Sequence, residues 1–390
     1  MRVLHLHDRL SVRGGAERHL LSLLRALQGR AETLLAVGFD DRGLPQGERQ
    51  YIGPWLRVKG LDRSGLSPRG GEAARRRLHE AIAAFGPELI HAHNIMDPEL
   101  LALAVRSAPT LMTVQDHRLF CPGRGKLMPD GSLCASPMGP GCLECFDDPD
   151  YGRRLLALTQ ARLAALQVMR KVLVLSKYMA SELAAVGVDP ARINVLPPWV
   201  DLPMGKEAPA REHHLLAGRL VGRKGVEVAL KAAKLLRQQA PLVVAGDGPL
   251  AGEVAKAAAA SGGRLVYEAW ADRARMDRLL AGAVSLWLPS LWAEPWGLVG
   301  PEALSQGCPV IATPVGGAVE WLRPGGHGLA VARGDARALA AAADRLAGDP
   351  ELAHRLGSAG RAWVKEHLEQ GRLMERLLDI YRQVIEGAAA

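Results

Sequence analysis

Short apolar runs recur along this chain, each followed by a stretch whose apolar residues return every three or four positions. Up to residue 200 the runs are RVLHLH, ETLLAVG, PELIHAH, APTLMTV, KVLVLS and INVLPP. Between them lie AERHLLSLLRAL, a segment near 71–85, PELLALAVRS, YGRRLLALTQARLAALQVMRK and KYMASELAAVG, all with helical spacing. The pattern restarts with HLLAGRL, PLVVAG, GRLVYEA, VSLWLPS, PVIAT and GLAV. Helices are predicted there at Gly225–Gln239, after Pro249, near 273–282 and in the segment carrying Glu302, and the tail from Pro350 to Ala388 is nearly all helical. Apolar strands alternating with helices predict an α/β chain of parallel sheets covered on both faces, with ligands taken beyond the carboxyl ends of the strands.

A chain of 390 residues exceeds what one hydrophobic core organises, so two domains are expected. PPWVDLPMGKEAPARE, residues 197–212, is rich in proline and charge and reads as the linker. The expected division is an N-terminal domain over 1–200 with a Cys-rich insert at 117–149, a second domain over 201–370, and a last helix, 371–390, crossing back to the first domain. Apolar residues at 48 % suffice for two cores. No apolar run reaches the length of a membrane span, and the histidines and charges of MRVLHLHDRL interrupt what a secretory signal would need. These features predict a cytoplasmic protein.

The net charge of +8 is uneven, with 26 Lys and Arg against 20 Asp and Glu in residues 1–200. Arg75–Arg77 and the basic stretch after Tyr151 suit a solvated face, or peripheral contact with the anionic inner face of a membrane. Aromatics at 4 % and the lack of any recognition motif argue against nucleic acid.

The densest candidate chemistry lies in LPSLWAEPWGLVGPEALSQGCPVIATPVGG, residues 288–317. A strand runs into a loop broken by Pro295 and Gly297, and a helix begins near Leu298 or Val299. The opening amides of such a helix suit a phosphate, while Glu294 and Glu302 can accept hydrogen bonds from sugar hydroxyls; the plainer reading has both glutamates complementing the helix dipole at the surface. Arg219 and Lys224 follow the strand HLLAGRL and precede a helix, where a forked donor and a compact charge together suit a diphosphate, with Arg223 as a solvated spare. The turn Gly246-Asp247-Gly248-Pro249 allows close backbone approach. Gly14 and Gly15 precede a helix and can meet a phosphate or sugar, but they lack the spacing of a dinucleotide fingerprint.

GRLVGRKG, GDGP, LPSLWAEPWGLVGPEAL and GCPVIATPVGGAVEWL, in that order, resemble the donor-binding half of glycosyltransferase family 4. The resemblance implies the GT-B fold, two doubly wound Rossmann-like domains facing across a cleft. It implies retaining transfer of a sugar from a nucleoside diphosphate sugar, UDP- or GDP-linked, to a glycan or lipid-linked acceptor, without a catalytic metal. By the same resemblance Arg219 and Lys224 bind the diphosphate, Glu294 the donor sugar and Glu302 the ribose, with backbone groups of Trp296, Gly297, Leu298 and Val299 on phosphate. The family's T-x-H-D histidine is replaced here: the run reads Thr113-Val114-Gln115-Asp116-His117. Gln115 donates and accepts a hydrogen bond but takes up no charge. Either that suffices, the leaving phosphate accepting the acceptor's proton, or His117 moves in, or activity is reduced.

Cys121, Cys134, Cys142 and Cys145 fall within the insert, while Cys308 stands apart. Four thiols admit a structural Zn²⁺, an iron–sulfur cluster, disulfides or no linkage, and the insert is read as shaping the acceptor side. His5, His7, His91 and His93 sit at strand ends, as packing or, with Glu17, Asn94 and Arg118, as lining of an acceptor pocket. Two other functions suit the same fold: a nucleotide-sugar epimerase, and a non-catalytic protein sensing sugar or metal.

Overall fold

The computed structural model describes residues 1–12, 14–41, 44, 46–67, 69–202 and 210–387. The chain separates into two compact units: Met1–Pro129 with Cys134–Pro197 and the segment from Gly371 onward, and Pro198–Gln370 with Asp130–Leu133. The middle of the expected linker, 203–209, lies outside the described residues, as do 388–390.

The first unit runs β1 (Arg2–Leu10), α1 (Gly15–Leu27), β2 (Glu32–Asp40), α2 (Gln46–Arg49), β3 (Trp55–Arg57), α3 (Gly71–Phe85), β4 (Leu89–Ala92), α4 (Pro98–Ser107), β5 (Thr110–Val114), α5 (Pro149–Gln167), β6 (Lys171–Val174), α6 (Lys177–Ala185) and β7 (Ile193–Val195). Its strands form one parallel sheet in the order β3-β2-β1-β4-β5-β6-β7. Every residue of β4 and β5 is buried, as a sheet covered on both faces requires. Helix α1 buries Leu20, Leu21, Leu23, Leu24 and Leu27, a helical stripe in which each leucine contributes about 1.5–3 kcal/mol of burial. Helix starts carry their own caps: the carboxylates of Asp97 and Asp148 accept from the first-turn amides of α4 and α5, and Ser176 Oγ does so for α6.

The second unit runs β8 (His213–Ala217), α7 (Val226–Ala233), β9 (Leu242–Ala245), α8 (Ala251–Ala259), β10 (Leu265–Glu268), α9 (Arg273–Ala281), β11 (Ala283–Leu288), α10 (Val299–Ser305), β12 (Val310–Ala312), α11 (Ala318–Trp321), β13 (Gly328–Ala330), α12 (Ala336–Gly348) and α13 (Pro350–His367). Its parallel sheet has the order β10-β9-β8-β11-β12-β13. Strand order reverses between β8 and β11, and between β1 and β4 in the first sheet, where doubly wound sheets take their ligands. The helix expected to reach Gln239 ends at Ala233. Beyond it the Asp344 carboxylate of α12 accepts from the amides of Arg237 (2.9 and 3.1 Å) and Gln238 (3.0 Å), holding that backbone in a turn. The last helix, α14 (Gln370–Glu386), buries Leu373, Met374, Leu377, Leu378, Ile380, Tyr381 and Val384 and belongs to the first unit. There Tyr381 Oη lies 2.6 Å from His91 Nδ1. No described helix is long and apolar enough to cross a membrane.

Candidate active site

The carboxyl ends of β8, β9 and β11 are zipped together by backbone. Gly218 N–H donates to Ala245 O (3.0 Å), Leu220 N–H to Asp247 O (2.9 Å) and Leu291 N–H to Arg223 O (2.8 Å). Two glycines make this possible. At Gly246 (φ +147°) a Cβ would sit 1.9 Å from Gly218 O, and at Gly225 (φ +73°) 1.9 Å from Pro289 O, both backbone atoms with nowhere to go. A Gly225→Ala substitution therefore combines left-handed strain with a backbone clash, and a loss of more than about 2 kcal/mol is expected from chemical denaturation of this unit. An unchanged midpoint would contradict the packing described.

Glu294 is the centre of this arrangement. Its carboxylate is 2 % exposed and receives both contacts of the Lys224 ammonium, 2.8 Å to Oε1 and 2.9 Å to Oε2, and the Ser290 hydroxyl at 2.5 Å. Burial would raise the Glu294 pKa, but the Lys224 charge together with hydrogen bonds from Lys224, Ser290 and Trp292 hold it below the ordinary value. The backbone of Glu294 is fixed too, its carbonyl accepting from Gly317 N–H at 2.6 Å. A buried, ionised, triply bonded carboxylate is not a surface group complementing a helix dipole, so for Glu294 the plainer reading fails.

Lys224 keeps 28 % of its side chain exposed, against 2 % for the carboxylate it pairs with. Its Nζ lies 5.5 Å from the Trp292 ring centroid, and the Arg223 guanidinium carbon lies 4.5 Å from it. Arg223, read from sequence as a solvated spare, is thus held on an aromatic face. Ser290 and Trp292 escaped the sequence reading, although both stand in the run that supplied Glu294. Arg219 is exposed on the same loop and forms no ion pair with the described residues.

Glu302 lies in the first turn of α10 and is paired with Arg273 of α9, Oε1 to Nη1 at 3.3 Å. Leu298 caps that helix, whose first turn is tied by Gly300 N–H to Gly297 O at 2.9 Å, and Trp296 O accepts from the Trp321 indole at 2.6 Å. Trp296 Nε1 is buried and meets no partner among the described residues. Gly246 sits in the β9 turn described above. The structure therefore brings Lys224 and Glu294 into contact and places Arg219, Gly246 and Trp296–Leu298 in loops, and Val299 and Glu302 in the first turn of α10, after the carboxyl ends of the strands of one sheet.

In the first unit a polar network spans the ends of β1, β4 and β5. Asp8 Oδ2 accepts from Asn94 Nδ2 at 3.0 Å, Asn94 Oδ1 accepts from Arg118, and Arg118 Nε donates to Asp116 Oδ2 at 2.8 Å. Burial raises the Asp116 carboxyl, yet Arg118 beside it outweighs this and holds its pKa below the ordinary value. Gln115 adjoins this network; its Nε2 is buried and has no partner among the described residues. His117 is buried and turned the other way, Nε2 3.1 Å from Tyr178 Oη. Gly14 caps α1, and the Glu17 carboxylate folds over it, where a Cβ on Gly14 would lie 1.9 Å from Oε2. Asp8 and Asp116 were absent from the sequence reading of this pocket, though LHLHD and VQDH carried them.

His5, His7, His91 and His93 are 0–1 % exposed and stand on one face of β1 and β4, where His5 and His91 are register partners. His5 Nδ1 lies 3.1 Å from His93 Nε2, and His91 Nε2 2.7 Å from Thr113 Oγ1. Ring nitrogens of His5, His91 and His93 fall within 4.8 Å of one another, but both nitrogens of His91 are already engaged by Tyr381 and Thr113. The group is core packing, with no side chain facing solvent.

Two family models divide the chain: "Glycosyltransferase Family 4" matches residues 13–203 and "Glycosyl transferases group 1" matches 207–363. The lipopolysaccharide core biosynthesis glycosyltransferase LpsE of Rhizobium meliloti is 26 % identical over 394 residues, 99 % of each chain. Alpha-maltose-1-phosphate synthase of Mycobacterium tuberculosis is 33 % identical over 218 residues, 52 % of this chain, and the match spans about half the length of that relative, 51 %. Among solved structures, Anabaena HepE with UDP and glucose superposes with a TM-score of 0.75 at 18 % identity, covering 98 % of this chain and 100 % of that one. Sucrose-phosphate synthase from Thermosynechococcus elongatus gives 0.74 at 21 % identity, covering 100 % of both. Two Rossmann-like units of the GT-B type, with family models on each, lead to one assignment: the chain belongs to glycosyltransferase family 4.

Proposed function

We propose that this protein transfers a sugar, with retention, from a nucleoside diphosphate sugar to a glycan or lipid-linked acceptor. The observation that carries the proposal is the buried Glu294 locked to a partly exposed Lys224 where the strand order of the second sheet reverses. In this reading Arg219 and Lys224 take the diphosphate with the amides of Trp296–Val299, and Glu294 orients the donor sugar. Glu302 takes the ribose, exchanging its Arg273 contact for hydroxyl donors. Cationic side chains then meet the charge that develops on the departing diphosphate, in place of a divalent ion. Gln115 supplies a neutral hydrogen bond, and the leaving phosphate oxygen takes the acceptor's proton.

HepE has been solved with UDP-glucose, which supports a UDP-sugar donor, and LpsE acts in lipopolysaccharide core assembly, which supports a polysaccharide or lipid-linked acceptor. Such an acceptor is met at the inner face of a membrane, and the basic residues of the first unit suit peripheral contact there. Neither the epimerase nor the sensing alternative gains support from these relatives. A thermal-shift screen of UDP, UDP-glucose, GDP and GDP-mannose tests the donor. One of them at about 100 times its Kd should stabilise the protein by about 2.7 kcal/mol. If none shifts the transition, the donor reading is wrong; if one does but no glycosylated product forms with any glycan offered, the transferase reading is.

A further inference from the structure

The lobe between β5 and α5 has almost nothing to hold it together. Of residues 121–148 only Pro122, Gly125 and Lys126 are buried, so no apolar core orders this irregular segment. It nevertheless carries four free thiols, those of Cys121, Cys134, Cys142 and Cys145. Gly123 is wedged between two of them: a Cβ there would lie 3.6 Å from Cys145 Sγ and 3.9 Å from Cys121 Sγ. Cys134 N–H donates to Lys126 O at 2.9 Å, which ties the second cysteine to the turn that follows the first. Cys142 and Cys145 share one short 3₁₀ turn, Pro140–Cys145, and both lie within electrostatic reach of Cys121 and Cys134.

Two further features suit thiolates. Cys121 Sγ accepts from Lys126 N–H at 3.4 Å and Cys142 Sγ from Gly139 N–H at 3.5 Å, bonds that favour sulfur in its charged form. Lys126 presents its amide by adopting φ +61°, a left-handed conformation costing about 1 kcal/mol and adopted by no other described non-glycine residue. Its ammonium is buried beside Ser136 O (2.6 Å) and Glu182 (2.9 Å), a fixed positive charge within the lobe.

We propose that Cys121, Cys134, Cys142 and Cys145 form a tetrathiolate Zn²⁺ site that knots this lobe. The four thiols give up four protons to solvent and bind through sulfur, with no change of oxidation state; Lys126 and the two amide donors offset the net negative charge of the centre. No three of the sulfurs lie within 4.8 Å of one another, so binding draws these half-buried side chains inward by rotation about χ1, to Zn–S distances of about 2.3 Å. Disulfides require no such convergence of all four sulfurs, and the shared turn and the amide–sulfur bonds are features of a metal knuckle. The site is independent of the sugar chemistry proposed above.

The test uses the full-length protein, made in zinc-supplemented medium and purified without chelator or a polyhistidine tag. Elemental analysis should find about one zinc per chain, and alkylation after denaturation in EDTA should find all five cysteines as thiols. A mercurial that titrates thiols should release that zinc and open the lobe to proteolysis between Gly123 and Asp148. The double variant C142S/C145S should retain less than about a fifth of the zinc, with α1 and α14 still protected from exchange as a check that the unit is folded. Zinc below about half an equivalent overturns the proposal, as does iron with inorganic sulfide and visible absorbance, or a pair of disulfides by mass spectrometry.

Discussion

Replacing Lys224 with alanine is expected to lower kcat for sugar transfer by roughly 10²–10³-fold while leaving the acceptor KM within about twofold, because a diphosphate-binding cation acts mainly as the glycosidic bond breaks. The same substitution strands the Glu294 carboxylate, 2 % exposed, without its counter-charge. Breaking a buried pair from one side costs about 3–5 kcal/mol, so the variant should also unfold at lower denaturant, or bind a proton at Glu294 on folding. Stability loss and catalytic loss would then be confounded. K224M/E294Q separates them: the methionine fills the lysine's path, the glutamine keeps the Ser290 contact, and neither carries charge. That variant should regain most of the stability and none of the activity. Steady-state kinetics beside urea denaturation decides the matter, and wild-type kcat in K224A, or full kcat in K224M/E294Q, would remove Lys224 from the mechanism.

Lys224 and Glu294 also show where sequence reading stops. Each was singled out from its own βα turn, since a basic turn after one strand and an acidic turn after another are local patterns. Their mutual contact spans 70 positions and depends on Gly225 letting one loop pass the Pro289 carbonyl, which periodicity does not encode. Trp292 was invisible for a related reason: a tryptophan beside an acidic residue has no meaning until Arg223 and Lys224 arrive over its ring. The alternation of strands and helices was legible throughout, because buried parallel strands and amphipathic helices impose strong local periods. Helix ends were less so, as at Ala233, beyond which the Asp344 carboxylate takes the amides of Arg237 and Gln238. In the first unit, Asn94 and Arg118 were named as pocket residues, but Asp8 and Asp116, which hold them, were not; their positions follow from the pairing of β1, β4 and β5 rather than from any motif.

Lowering the pH from 7 to 5 is expected to destabilise the first unit well before its carboxylates titrate. Burial lowers the pKa of His5 to about 3, and burial with neighbouring histidines lowers His91 and His93 well below 6.5. Folded, these rings stay neutral; unfolded, each takes up a proton near its ordinary pKa of about 6.5. Stability is therefore unaffected above about pH 7 and falls below 6.5 by about 1.4 kcal/mol per pH unit for each ring, until pH reaches the folded pKa. Between pH 6.5 and 5 that is about 2 kcal/mol each, or about 6 kcal/mol for three. The helix α14 should detach in the same transition, because protonating His91 costs it the role of acceptor in the chain from Tyr381 Oη to Thr113 Oγ1. Urea midpoints at pH 7 and pH 5 measure the slope, and H5N/H93N, which keeps a side-chain hydrogen-bond pair but removes two titrating rings, should make it shallower, with His91 and His19, the latter lowered to about 4 chiefly by burial, still titrating in the first unit. His214 and His327, lowered to about 4 by burial in the second unit, leave a residual slope in that variant. Equal midpoints at the two pH values would show that His5, His91 and His93 are open to protons in the folded protein, and that their rings are not the neutral core their burial implies.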